Sequence, residues 1–172
     1  MVLRRITTPF FPVTLLSLAV LLPGLILAEA NPAIGTWKLD PAKSKYSTES
    51  LPKSGMLTVE TQGDGVKTNC ELVEADGTNV AYSYTANYDS KDYPISGSGG
   101  SSWREGLVSG AETIALRREN SRTFGAALKK SGSVVMTMKT VVSKDGKTMT
   151  VTANGADAKG QPTTFLRVWD KQ

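Results

Sequence analysis

In several segments between about residue 56 and residue 170, apolar and polar positions alternate one for one, and short runs of glycine, aspartate and serine separate these segments. A period of two places successive side chains on opposite faces of a pleated strand, so this pattern predicts strands buried on one face. The clearest run is Asn79 to Asp89, with Val80, Tyr82, Tyr84, Ala86 and Tyr88 on one face and Ala81, Ser83, Thr85 and Asn87 on the other. Ser133 to Ser143 aligns Val134, Met136, Met138, Thr140 and Val142, and Thr148 to Asn154 sets Met149, Val151 and Ala153 against three threonines. Val66 to Glu74 gathers Val66, Thr68, Cys70 and Leu72 on one face, which predicts a buried thiol. Gly63-Asp64-Gly65, Asp76-Gly77, Ser131-Gly132 and Asp145-Gly146 supply the turns.

About ten strands follow, near Gly35–Asp40, Met56–Gln62, Val66–Glu74, Asn79–Asp89, Tyr93–Gly97, Ala111–Arg118, Thr123–Lys129, Ser133–Ser143, Thr148–Asn154 and Thr163–Asp170. No window beyond residue 30 carries a 3.6-residue apolar period, so the class is all-β. Consecutive strands joined by short turns favour an antiparallel up-and-down β-barrel, because closure removes the exposed edges of an open meander; a two-sheet β-sandwich is the alternative. Pro41 to Gly55 carries no pattern and is expected to cross the surface or a barrel mouth, and Gly97 to Gly110 is a second irregular stretch.

The first thirty residues read differently. Arg4 and Arg5 precede a charge-free run from Ile6 to Ala28, and Ala28-Glu29-Ala30 offers the small residues of a signal-peptidase site. The pattern predicts a signal peptide over 1–30, cleaved after Ala30, and a domain over 31–172 that is periplasmic or secreted. An uncleaved membrane anchor competes with this reading; Pro12, Pro23 and the lack of a following positive cluster weaken it. An outer-membrane barrel also alternates, but it needs an apolar outward band with aromatic girdles. Here the outward positions are Ser83, Thr85, Asn87, Thr137, Lys139 and Thr150, which predicts a barrel in water with no membrane partner after cleavage.

Composition narrows the chemistry. The 172 residues include no histidine and one cysteine. That excludes Ser-His and Cys-His catalysis, the usual zinc and copper shells, and any intrachain disulfide. Removing residues 1–30 takes Arg4, Arg5 and Glu29, leaving 18 basic side chains against 15 acidic ones. The basic residues are scattered without an aromatic-interleaved stripe, so no nucleic-acid partner is expected. No metal and no cofactor is expected either. Asp89, Lys91, Asp92 and Tyr93 form a local polar cluster, and Glu71 and Glu74 lie close together, but turn chemistry and a solvated strand end account for both. No nucleophile elbow, phosphate loop or metal spacing is present, and the chain is read as not an enzyme.

The two ends of the domain carry a resemblance. Gly35-Thr36-Trp37 opens the first strand, and Phe165-Leu166-Arg167-Val168-Trp169-Asp170-Lys171 closes the last. This G-x-W and late R-x-W pairing resembles the calycin superfamily, the lipocalins and fatty-acid-binding proteins, and the strand count looks most like the fatty-acid-binding branch. The chain as a whole is similar to small exported bacterial proteins described as lipocalin-like. The resemblance implies a barrel whose early tryptophan, Trp37, packs under a late-strand arginine, with Gly35 and Trp37 structural. In the fatty-acid-binding branch a tyrosine stands where this chain has Trp169, which offers an indole N–H in place of a hydroxyl.

Arg167 shares the apolar face of its strand with Phe165 and Trp169, so its guanidinium is expected inside. Either it stacks over Trp37 and closes the barrel floor, or it pairs with the anionic group of a ligand. Tyr82, Tyr84, Tyr88, Met136 and Met138 make an adaptable aromatic and thioether lining that suits a cavity or an ordinary core. Two functions follow. The first is a non-catalytic binding protein holding a small apolar or amphipathic molecule inside the barrel, with Arg167, Tyr82, Tyr84, Tyr88, Met136, Met138 and Trp169 as its site. The second is a ligand-free structural or interaction module of the cell envelope, meeting a protein or glycan through Trp103 and the Gly97–Gly110 loop. Interior volume separates them, since a drug-sized ligand needs ~300 Å³ or more.

Overall fold

The computed structural model describes residues 30–47, 51–98, 110–156 and 161–172. Trp103, most of the Gly97–Gly110 stretch and residues 1–29 of the expected signal peptide lie outside them. Ten strands form: β1 (Gly35–Tyr46), β2 (Ser54–Gln62), β3 (Gly65–Val73), β4 (Asn79–Asn87), β5 (Asp89–Ser98), β6 (Thr113–Arg118), β7 (Thr123–Lys130), β8 (Ser133–Val142), β9 (Thr148–Ala156) and β10 (Pro162–Lys171). Each pairs antiparallel with its neighbours in sequence, and β1 closes on β10, so the strand order is that of a closed up-and-down barrel and the sandwich alternative falls away. The alternation explains the wall: Val66, Thr68, Cys70 and Leu72 of β3 are all buried, while Lys67 and Glu71 between them are exposed. The Ser131-Gly132 turn shows how the chain reverses. Both residues have positive φ, 48° and 80°, the geometry a two-residue hairpin needs to follow the strand twist.

Two bulges depart from the expected pattern. β1 continues past Asp40 to Tyr46, through the stretch expected to be a loop, because its register against β10 shifts between Asp40 and Lys45. Pro41 sits inside this shift, where a missing N–H breaks no regular ladder. Buried Ser44 fills in for backbone there: its hydroxyl donates to the Asp40 carbonyl at 2.7 Å and accepts the Val168 N–H at 3.0 Å. On β8, Met136 faces Leu128 but Val134 faces Lys129, so one extra residue, Val135, enters the strand. Val134 is thereby turned outward and is 54% exposed, which corrects its expected place beside Met136.

One end of the barrel is closed by the G-x-W sequence, though not with the expected partner. Trp37 is fully buried, and its indole N–H donates to the Ala33 carbonyl at 2.9 Å. The cation over its ring is Lys171, with Nζ 5.0 Å from the ring centroid, and not Arg167. Lys171 is directly opposite Trp37 in the β1–β10 register, two residues nearer this end than Trp169, so its stem lies across the floor. Gly35 leaves room for that stem: its φ is +134°, and a Cβ there would stand 2.9 Å from Lys171 Cε. Gly35→Ala is therefore expected to lower unfolding stability by about 1–3 kcal/mol in a urea titration, from backbone strain and a displaced lysine. An unchanged midpoint would show that this contact does not close the floor.

Candidate functional site

The inner face of β10 carries Phe165, Arg167 and Trp169 in sequence toward the floor. Arg167 is 4% exposed. Its Nε donates to the Tyr46 hydroxyl, and its guanidinium lies 4.2 Å from the Phe165 ring centroid and 5.3 Å from that of Tyr46. Tyr46 and Phe165 stack on each other at 5.4 Å, so the guanidinium is gripped by two rings and one hydroxyl. Among the described residues no acidic side chain forms an ion pair with it. Burial alone would lower its pKa; the neighbouring Tyr46, Tyr82 and Cys70 outweigh that and raise it, so Arg167 is a cation at every physiological pH.

Cys70 and Tyr82 are cross-strand partners on β3 and β4. Burial pushes the Cys70 thiol up to about 11, and the Arg167 charge and a hydrogen bond with Tyr82 recover only part of that shift. Burial likewise raises Tyr82 well above the usual phenol value and Tyr84 to about 12. These groups are neutral near neutral pH and do not offset the charge of Arg167.

Below Arg167, toward the floor, lies a cavity of about 90 Å³. Leu57, Val59, Val66, Leu116, Ala126, Met149 and Val151 give it an apolar wall, with polar atoms from Thr68, Thr140, Tyr82, Tyr84, Tyr88 and Arg167. Trp169 is also on this lining; its Nε1 is buried and has no hydrogen-bond partner among the described residues. The floor side is held by the chain preceding β1, where Asn31 Nδ2 donates to the Tyr88 hydroxyl at 2.9 Å and Tyr88 packs on Phe124 at 5.4 Å.

The structure thus brings Arg167, Trp169, Tyr82, Tyr84, Tyr88 and Met138 to one cavity. Met136 is not among its walls: it is 2% exposed and belongs to the buried hydrophobic core. Of the rings that hold Arg167, Phe165 was expected on the same face of its strand and Tyr46 was not expected there. The β1 bulge hid Tyr46, because between Asp40 and Lys45 the chain advances five residues against two of β10, and an odd insertion reverses the alternation that assigns a face. The Asp89 cluster is turn chemistry on the surface: Asp89 accepts the Lys91 N–H at 3.1 Å and the Tyr93 hydroxyl at 3.1 Å. Among the described residues no group of three or more His, Cys, Asp or Glu side chains is placed to hold a metal ion.

No protein-family model and no curated protein matches the chain. Among solved structures it is similar to the zebrafish ileal bile acid-binding protein complexed with cholic acid, at 9% identity, over 82% of this chain and 99% of that one, with a TM-score of 0.44. The barrel described here stands on its own closed strand order and not on that likeness.

With its pKa raised by burial, Cys70 stays protonated and shielded at mildly alkaline pH. The folded chain is expected to give no reaction with an aromatic disulfide reagent at about pH 8, and one thiol per chain once denatured. Rapid labelling of the folded protein would show that the β3–β4 wall admits the reagent.

Proposed function

We propose that the chain is an exported, non-catalytic binding protein that holds a small amphipathic molecule, anionic or acceptor-rich at one end, inside its barrel. The observation that carries this reading is Arg167, a buried cation on a mainly apolar cavity with no carboxylate paired to it among the described residues. An ion removed from water costs several kcal/mol unless a counter-charge restores what hydration supplied, and a bidentate carboxylate fits a guanidinium best. The unpartnered Trp169 N–H, two residues along the same strand, adds a second donor that gains from an acceptor in the cavity. The leader pattern over 1–30 supports export.

Volume sets the size of the ligand. At about 90 Å³ the cavity is well below the ~300 Å³ of a drug-sized pocket, so it suits a short chain with a small head. That modest volume is also what a filled structural barrel would show. A filled barrel, however, gains nothing from leaving a cation without a counter-charge and an indole donor without an acceptor, and this favours the binding reading.

Calorimetric titration with hexanoate, hexanol and hexylamine tests it. Hexanoate is expected to bind, hexanol to bind at least about tenfold more weakly, and the amine not at all, since only the carboxylate supplies the missing charge. Arg167→Met is expected to abolish the preference for hexanoate while holding or raising the urea midpoint, because a thioether chain of similar volume removes an unpaired buried charge. Equal affinities for the three probes, or no binding of any, would contradict the proposal. Unfolding of Arg167→Met would show that the arginine serves as a clamp for Tyr46 and Phe165 instead.

A further inference from the structure

We infer that the four residues ahead of β1, Asn31 to Ile34, are a lid, and that ligand enters and leaves the cavity at the floor by their displacement. The inference rests on the binding reading above and adds the route and the contact that controls it.

The cavity occupies the floor half of the barrel. Val66 and Phe124, each the second residue of its strand, and Tyr88, just past the end of β4, are on its lining, and all three stand at the floor. Toward the opposite end, Leu72, Val80, Ile114, Leu128, Met136 and Ala153 are each no more than 2% exposed, and none of them lines the cavity. Among the described residues that half is close-packed, and a path through it would displace several side chains at once. At the floor a single short segment covers the cavity: Ala33 is buried and is on the lining.

The sequence makes this segment a strap and not a strand. In Asn31-Pro32-Ala33-Ile34 the proline sets the φ of a turn's second position, and asparagine suits the first. The Ile34 N–H donates to the Asn31 carbonyl at 3.2 Å, and the Ala33 N–H donates to Asn31 Oδ1 at 3.0 Å, so the four residues form one compact unit. The strap crosses the end of the barrel. In the closed strand order β2 and β3 separate β1 from β4, yet Asn31 Nδ2 reaches the Tyr88 hydroxyl at 2.9 Å. Among the hydrogen bonds of the described residues, this is the one that joins the strap to the far wall. At its root stand the Trp37–Ala33 bond and Gly35, whose φ of +134° gives the backbone a natural hinge. Swinging the strap about Gly35 breaks the Asn31–Tyr88 and Trp37–Ala33 bonds and opens no strand pair.

Exchange of 6,6,6-trifluorohexanoate, followed by fluorine NMR, reads both rates directly. Asn31→Ala removes the tie to Tyr88 and alters no residue of the cavity lining. It is expected to speed binding and release together by roughly three- to tenfold, the weight of one hydrogen bond, with the dissociation constant nearly unchanged. Solvent exchange of the Trp37 indole N–H is expected to quicken by a similar factor, since the same swing frees it. Ser47→Ala removes the acceptor of the Thr164 N–H, 2.9 Å away at the opposite end of the barrel, and is expected to leave all three rates as they were. A bound resonance that exchanges equally fast in Asn31→Ala and the unaltered protein, or that quickens only in Ser47→Ala, would overturn the floor route and leave the binding reading intact. No bound resonance in the unaltered protein would overturn both.

Discussion

Taking a guanidinium out of water costs several kcal/mol unless hydrogen bonds, aromatic faces and a counter-charge replace its hydration. Arg167 has the first two, from the Tyr46 hydroxyl and the Tyr46 and Phe165 rings, and lacks the third among the described residues. Much of the barrel interior follows from that arrangement. The rings must come from β1 and β10 at matching heights, and the Tyr46↔Phe165 register supplies this. The remaining neighbours, Tyr82 and Cys70, stay neutral because burial raises both, so they cannot neutralise the charge. What the described residues leave unmet is a counter-charge at Arg167 and an acceptor at Trp169.

Closure of the barrel makes that placement possible. Ten short strands with no free edge keep the interior rigid, and the two bulges adjust where side chains point. At β1 the bulge absorbs Pro41 and brings Tyr46 to the arginine, with Ser44 repairing the ladder it interrupts. At β8 the bulge turns Val134 to the surface while Met136 and Met138 stay inside. At the floor, Lys171 and not Arg167 covers Trp37, which frees the arginine to face the cavity.

Strand number, strand order and most faces were legible in the sequence, because period-two alternation and turn residues are local signals. Cys70 is buried as its neighbours on β3 implied. Tyr82, Tyr84, Tyr88 and Met138 reach the cavity because no bulge intervenes between the positions that set their phase. The misses share one physical origin. Tyr46, Val134 and the partner of Trp37 depend on bulges or on cross-strand register, and register is a relation between strands that no single strand's pattern contains. Cavity volume was not legible either, since it is the difference between barrel size and summed side-chain volume, and single methylenes shift it.

The indole N–H of Trp169 is the most direct observer of whether the cavity takes an acceptor-bearing ligand. Nitrogen-15 NMR of the folded protein, titrated with hexanoate, resolves each indole separately. The account predicts that the Trp169 Nε1–H resonance moves downfield and saturates as it gains a partner, while that of Trp37, already bonded to the Ala33 carbonyl, stays in place. A Trp169 resonance that holds still at saturating hexanoate would contradict the account and return the barrel interior to a purely structural role.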